Sequence, residues 1–174
     1  MNTGSSEIFG RFKRNHRLFV ETGTLAGDGV IAALGAGYTQ VISIEAAKDL
    51  HAKAVIKFSD NPKVKLILGR SEIELPKLLS TLAEPATFWL DAHAAWGQML
   101  DGTNLSPLRA ELTALAAHPV KSHTILIDDI RTFPQLGTSL TEIIRMVKAI
   151  NSSYIVEQID SVGYKEDILA AHCP

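Results

Sequence analysis

Five short runs of β-branched and aromatic residues constrain this chain more than any other feature, because each is apolar almost throughout and none alternates with polar residues. They occupy 18–21, 41–45, 64–68, 87–91 and 124–128, with cores LFV, VISI, VKLIL, FWL and ILI. A strand with one wet face alternates; a strand covered by helices on both faces does not, and that is the condition of a parallel sheet. The segments between the runs have helical spacing, at 28–34, 47–58, 72–82, 107–117 and 140–150. Gly35 and Gly37 end the first of these, Asn61-Pro62 follows the second and Pro119 closes the fourth, all acceptable helix stops. Two further strands are predicted at 154–159 and 167–171, joined by a turn at 161–164. The expected fold is therefore α/β: a doubly wound, Rossmann-like, mostly parallel seven-stranded sheet with a C-terminal antiparallel strand pair. With 174 residues and no repeat or linker, a single domain over 1–174 is expected, with a short N-terminal extension over 1–16.

Charge and cysteine content narrow the function classes. Seventeen basic and nineteen acidic residues give a net charge of -2, so no global field draws the chain to phosphate backbones or anionic membranes. Nucleic acid and membrane are not expected partners. The basic cluster Arg11, Lys13, Arg14, His16 and Arg17 reads as a solvated end, or as a contact for an acidic substrate. The one cysteine, Cys173, excludes an internal disulfide and a cysteine zinc site. No apolar stretch is long enough to span a bilayer, and MNTGSSEIFG lacks the apolar run of a signal peptide. A soluble, cytoplasmic protein is expected.

In an open parallel sheet, ligands bind beyond the carboxyl ends of the strands. The first strand runs into Glu21, Thr22, Gly23, Thr24, Leu25, Ala26, Gly27, Asp28 and Gly29; the second ends in Glu45; the third in Gly69, Arg70 and Ser71; the fourth in Asp91, Ala92 and His93; the fifth in Asp128 and Asp129. Gly23, Gly27 and Gly29 lack the spacing of the dinucleotide fingerprint. A glycine loop followed by an acid at the next strand end nevertheless favours an adenosine-type ligand, with Glu45 accepting from ribose hydroxyls; capping the following helix is the alternative for Glu45. Asp91, Asp128 and Asp129 repel one another unless something positive sits among them, and a hard cation such as Mg²⁺ suits them; the other reading is that Asp128 or Asp129 caps a turn. His93 is placed to accept a proton near neutral pH, or is a satisfied loop histidine. His16, His51, His118, His123 and His172 have no comparable company.

Taken in order, these segments resemble the class I S-adenosylmethionine-dependent methyltransferases, and within them the metal-dependent O-methyltransferases of the catechol and macrolide-sugar kind. FVETGTLAGDG is similar to the motif that wraps the methionine part of the cofactor, SIEAAKD to the one whose acid binds ribose, VKLILGRSEIELPKLL to the segment beside adenine, and FWLDAH and ILIDDIR to the two that supply metal ligands. The resemblance implies that Glu21, Thr22, Gly23, Thr24 and Gly27 form the cofactor loop, that Glu45 holds ribose, that Ser71 and Glu72 flank adenine, and that Asp91 borders the cofactor. It implies that Asp91, Asp128 and Asp129 ligate Mg²⁺, with Asp91 and His93 serving catalysis. The lysine base of the catechol enzymes has no counterpart, since Ala94 stands there, and little sequence precedes the first strand.

The expected activity is transfer of a methyl group from S-adenosylmethionine to a small-molecule or sugar hydroxyl, with a homo-oligomer able to close an uncovered rim. The stretch 94–106, with Trp96 and Met99, is read as a loop that folds over substrate, Trp96 being otherwise a core or interface residue. Two rivals remain at this level: a metal-dependent hydrolase built on the Asp and His cluster, which leaves the glycine loop and Glu45 unexplained, and a cofactor-binding domain without independent activity.

Overall fold

A computed structural model describes residues 3–92 and 106–174. The apolar runs become strands β1 (Leu18–Thr22), β2 (Gln40–Glu45), β3 (Val64–Leu68), β4 (Thr87–Leu90) and β5 (Thr124–Ile127), followed by β6 (Ile155–Ile159) and β7 (Ile168–His172). They form one seven-stranded sheet in the order β3-β2-β1-β4-β5-β7-β6. The first five pair in parallel, and β7 runs antiparallel to both β5 and β6. The last pair thus enters the sheet with its later strand innermost.

Residues in the three central strands β1, β4 and β5 are all buried, as unbroken apolar runs require. The edge strand β3 is only half covered and carries Lys65, a charge that discourages edge-to-edge pairing. Helices α1 (Thr3–Phe12), α2 (Asp28–Gly35), α3 (Lys48–Lys57), α4 (Ser71–Leu79), α5 (Leu108–Ala117) and α6 (Leu140–Ile150) complete the described elements, with a 3-10 turn at Ile130–Thr132. Two cores result. Leu75, Leu112, Leu115, Ile143 and Val147 pack helices α4, α5 and α6 against Val20, Phe88 and Ile125 on one face. On the other, Phe9, Phe12, Val30 and Ala33 bring α1 and α2 onto Phe19, Val41, Trp89 and Leu126.

Helix α1 lies in the stretch read as a short N-terminal extension, where the sequence reading placed no element. Its segment TGSSEIFGRF holds only three large apolar residues and opens on glycine and serine, too little periodicity for a helix in isolation. Tertiary contact supplies the rest. Phe9 is 1% exposed, with ring centroids 4.7 Å from Phe19 and 5.0 Å from Trp89. Ser6 Oγ donates to the carbonyl of Ala32 (3.1 Å). Helix α6 matches its expected bounds because it carries its own start signal: Ser139 Oγ accepts from the Glu142 amide at 3.2 Å.

Candidate active site

Strand β1 ends at Thr22 and turns through Gly23, whose φ is 87°. A Cβ there would lie 2.6 Å from the main-chain oxygen of Asp91, so only glycine lets this loop pass so close to the segment leaving β4. Thr22 secures the same junction, its carbonyl and hydroxyl oxygens accepting from the Asp91 amide at 3.1 and 3.3 Å. Gly27, at φ 80°, ends the loop as the residue preceding α2.

Glu45, at the end of β2, is 7% exposed. One carboxylate oxygen accepts from the Leu25 amide at 2.9 Å, the other from the Ala47 amide at 2.8 Å. The acid expected to hold ribose therefore also ties the glycine loop to the turn after β2, and holds Leu25 in a positive-φ conformation (46°). Each oxygen keeps a further lone pair for a ligand hydroxyl.

Glu21 is 2% exposed and lies behind the loop. Ser43 Oγ is 2.5 Å from its carboxyl and 2.6 Å from Thr24 Oγ1, so three buried side chains form a hydrogen-bonded row. Burial pushes the Glu21 carboxyl up to about 8, and Asp91, Glu45 and Asp28 push the same way, against the Ser43 hydrogen bond, so the surroundings favour its protonated form. Gly29 makes room for it, since a Cβ there would sit 1.7 Å from Glu21 Oε1.

Ser71 opens α4 and is 5% exposed. Its hydroxyl has no hydrogen-bond partner among the described residues, an unspent buried polar group at the rim where a ligand is expected. Glu72 is held by Arg70, Nε to Oε1 at 2.5 Å. The loop, Glu45 and the unspent Ser71 hydroxyl fit an adenosine-bearing cofactor. They occupy the C-terminal ends of β1, β2 and β3, which are adjacent in the sheet.

The aspartates collect two strands further on, past β4, where β5 ends and β7 begins. Among the described residues, the carboxylates that come within 4.8 Å of one another are those of Asp128, Asp129 and Asp167. Asp91 follows neighbouring β4 but is not in that group. Arg131 bonds through Nη1 to both Asp129 and Asp167. Asp128 accepts from the Asp129 amide at 2.9 Å. Mg²⁺ requires oxygens freely arranged in an octahedron, and two of these three side chains already grip a guanidinium. With Arg131 so placed, the donor set does not fit the ion implied by the resemblance.

A cavity of about 210 Å³ opens beside this cluster, lined by Phe9, Trp89, Asp128, Asp129, Arg131 and Tyr164 among others. Helix α1 supplies one wall. Sequence reasoning missed that wall, Asp167, and the part played by Arg131. Asp167 has no spacing signal, standing 36 residues from Arg131; Arg131 is two positions past the Asp-Asp pair, which was its only available sign. His93, Trp96, Met99 and nearly all of the loop expected at 94–106 lie outside the described residues.

A sheet ordered β3-β2-β1-β4-β5-β7-β6 with one antiparallel strand is the fold that the chain shares with solved methyltransferase structures. No protein-family model and no curated protein matches the sequence. Among solved structures the chain is similar to the O-methyltransferase from Bacillus cereus in complex with S-adenosylhomocysteine, with a TM-score of 0.67 and 14% identity over 99% of this chain and 80% of that one. It is similar also to TomG from Streptomyces achromogenes, involved in tomaymycin synthesis and solved with S-adenosylmethionine (TM-score 0.63, 11% identity, 99% and 79% covered). The S-adenosylhomocysteine-bound methyltransferase PaMTH1 of Podospora anserina gives 0.63 at 13% identity, covering 98% and 76%. Likeness at such identities establishes a shared fold. No helix among the described residues is long and apolar enough to cross a membrane.

Proposed function

We propose that this chain is an S-adenosylmethionine-dependent methyltransferase acting on a hydroxyl oxygen of a small molecule or sugar. The observation that carries the reading is the convergence of the Gly23 loop, Glu45 and the unspent Ser71 hydroxyl on three adjacent strand ends, in a fold whose solved examples include cofactor-bound O-methyltransferases. Bound S-adenosylmethionine would supply a methyl group activated by a sulfonium. The chain's task is then to bind, align and exclude water.

In this reading the Gly23 backbone lies along the methionine part, Glu45 accepts from the ribose hydroxyls, and Ser71 and Glu72 border adenine. The acceptor enters the cavity beside Asp128 and Asp129, between Trp89, Phe9 and Tyr164. Aromatic walls with carboxylates at one end suit a flat or ring-shaped molecule bearing hydroxyls. His93, two residues past Asp91, is the group proposed to take the acceptor's proton.

Calorimetry with S-adenosylmethionine, S-adenosylhomocysteine and NAD tests the cofactor. Micromolar binding of the first two and none of the third is expected. In Glu45→Ala both lose affinity by about tenfold or more, the value of a charged hydrogen-bond pair. Equal affinity in that variant removes Glu45 from the ribose, and absence of binding in the wild type removes the reading.

A further inference from the structure

We propose that Arg131, rather than a divalent cation, is the positive occupant of the aspartate cluster, so that the acceptor site of this chain works without a metal. Three carboxylates within 4.8 Å repel one another unless positive charge sits among them, and the guanidinium places one positive charge there, bonded to both Asp129 and Asp167. The arginine is fixed from several directions. Its own amide donates to Asp167 Oδ1 at 3.1 Å, and its guanidinium carbon lies 3.9 Å from the ring centroid of Tyr164.

Backbone geometry builds the arrangement. Asp129 takes a left-handed conformation (φ 56°) that turns the chain from β5 into the short 3-10 turn, and the Ile130 amide donates to the Asp167 carbonyl at 3.0 Å. This docks the turn onto the residue preceding β7 and sets Arg131 over a side chain that is 1% exposed. Asp167 in turn receives Ser161 Oγ at 3.3 Å on the oxygen that holds the guanidinium. A dication entering here has to evict a group that is charged at every accessible pH and reorganise oxygens committed to an amide and a hydroxyl. No hydrogen bond joins Nε or Nη2 of Arg131 to a described residue. As the residue lines the cavity, those donors are available to an acceptor oxygen; this last role rests on the proposed function, whereas the displacement of metal does not.

Manganese is the probe, because its paramagnetic resonance signal reports binding without any turnover. Wild-type chain titrated with Mn²⁺ is expected to leave the free-ion signal unchanged up to about 1 mM. Arg131→Ala uncovers the carboxylates and is expected to bind one Mn²⁺ at least about tenfold more tightly than wild type, a gain lost again in the double variant with Asp129→Asn. Two results overturn the proposal: one Mn²⁺ bound by wild type at micromolar concentration, or an Arg131→Ala chain, folded by circular dichroism, that binds no better than wild type. Should that variant not fold, the wild-type titration decides alone. No cofactor enters the experiment, so its failure leaves the methyltransferase reading intact, and calorimetry tests that reading separately.

Discussion

Hydrogen bonds at single residues set proton positions in two buried clusters of this protein, one at each end of the strands. His123, fully buried before β5, accepts the Ala86 amide at Nδ1 (3.1 Å). Its proton is therefore on Nε2, which faces His118 Nδ1 at 3.0 Å, and His118 then donates from Nε2 to the Leu82 carbonyl at 3.0 Å. Any added proton breaks one of these bonds. Burial lowers the His123 pKa from 6.5 to about 4, helped by His118, His16 and Lys121. Since the folded state takes up this proton less readily than the unfolded one, stability is complete above about pH 6.5 and falls as the pH drops towards 4, by an amount on the order of 3 kcal/mol. Urea unfolding between pH 7.5 and 4.5 should show that loss, with a shallower slope in His123→Gln. At the other end, Gly29→Ala drives a methyl group into Glu21 Oε1; a cost of about 1–3 kcal/mol is expected from overpacking, read by the same assay.

Elements differ in where their stability comes from. Helix α6 carries a capping serine, so Ser139→Ala should cost about 1 kcal/mol, measured as a fall in urea midpoint. Helix α1 depends on burial. Phe9→Ala should cost about 3–5 kcal/mol in the same measurement, because the ring is 1% exposed and meets both Phe19 and Trp89. The variant also removes a wall of the cavity beside Asp128. The contrast explains what could be read in advance: α6 announces its start in four residues, whereas α1 is a helix only because β1 and β4 present it with aromatic partners.

Across the whole molecule, the sheet separates the histidine pair from the rim proposed to hold the cofactor by the length of a strand. Four residues of β5 at about 3.3 Å each put the two ends about 13 Å apart, beyond the range at which substitutions usually couple. Saturating S-adenosylhomocysteine at a hundredfold over its Kd should therefore add about 2.7 kcal/mol to wild type and the same to His123→Gln. Thermal or urea unfolding with and without ligand checks the equality; a smaller increment in the variant would show that the ends communicate through the strands.

Strand number, the helix alternation and the rim residues Glu21, Gly23, Glu45, Ser71, Asp91, Asp128 and Asp129 were legible in the amino-acid order. Each is a local pattern: a strand of four to six residues around a largely apolar core, and the polar group that stops it. Tertiary structure alone decided the fate of those groups. It buried the Glu21 carboxyl and raised its proton affinity, gave Glu45 two backbone partners, folded α1 onto the sheet, and brought Asp167 to Arg131 across 36 residues. A chain position specifies which side chain leaves a strand end, but its partners are set by the packing of elements distant in sequence. Charge compensation and proton affinity depend on those partners.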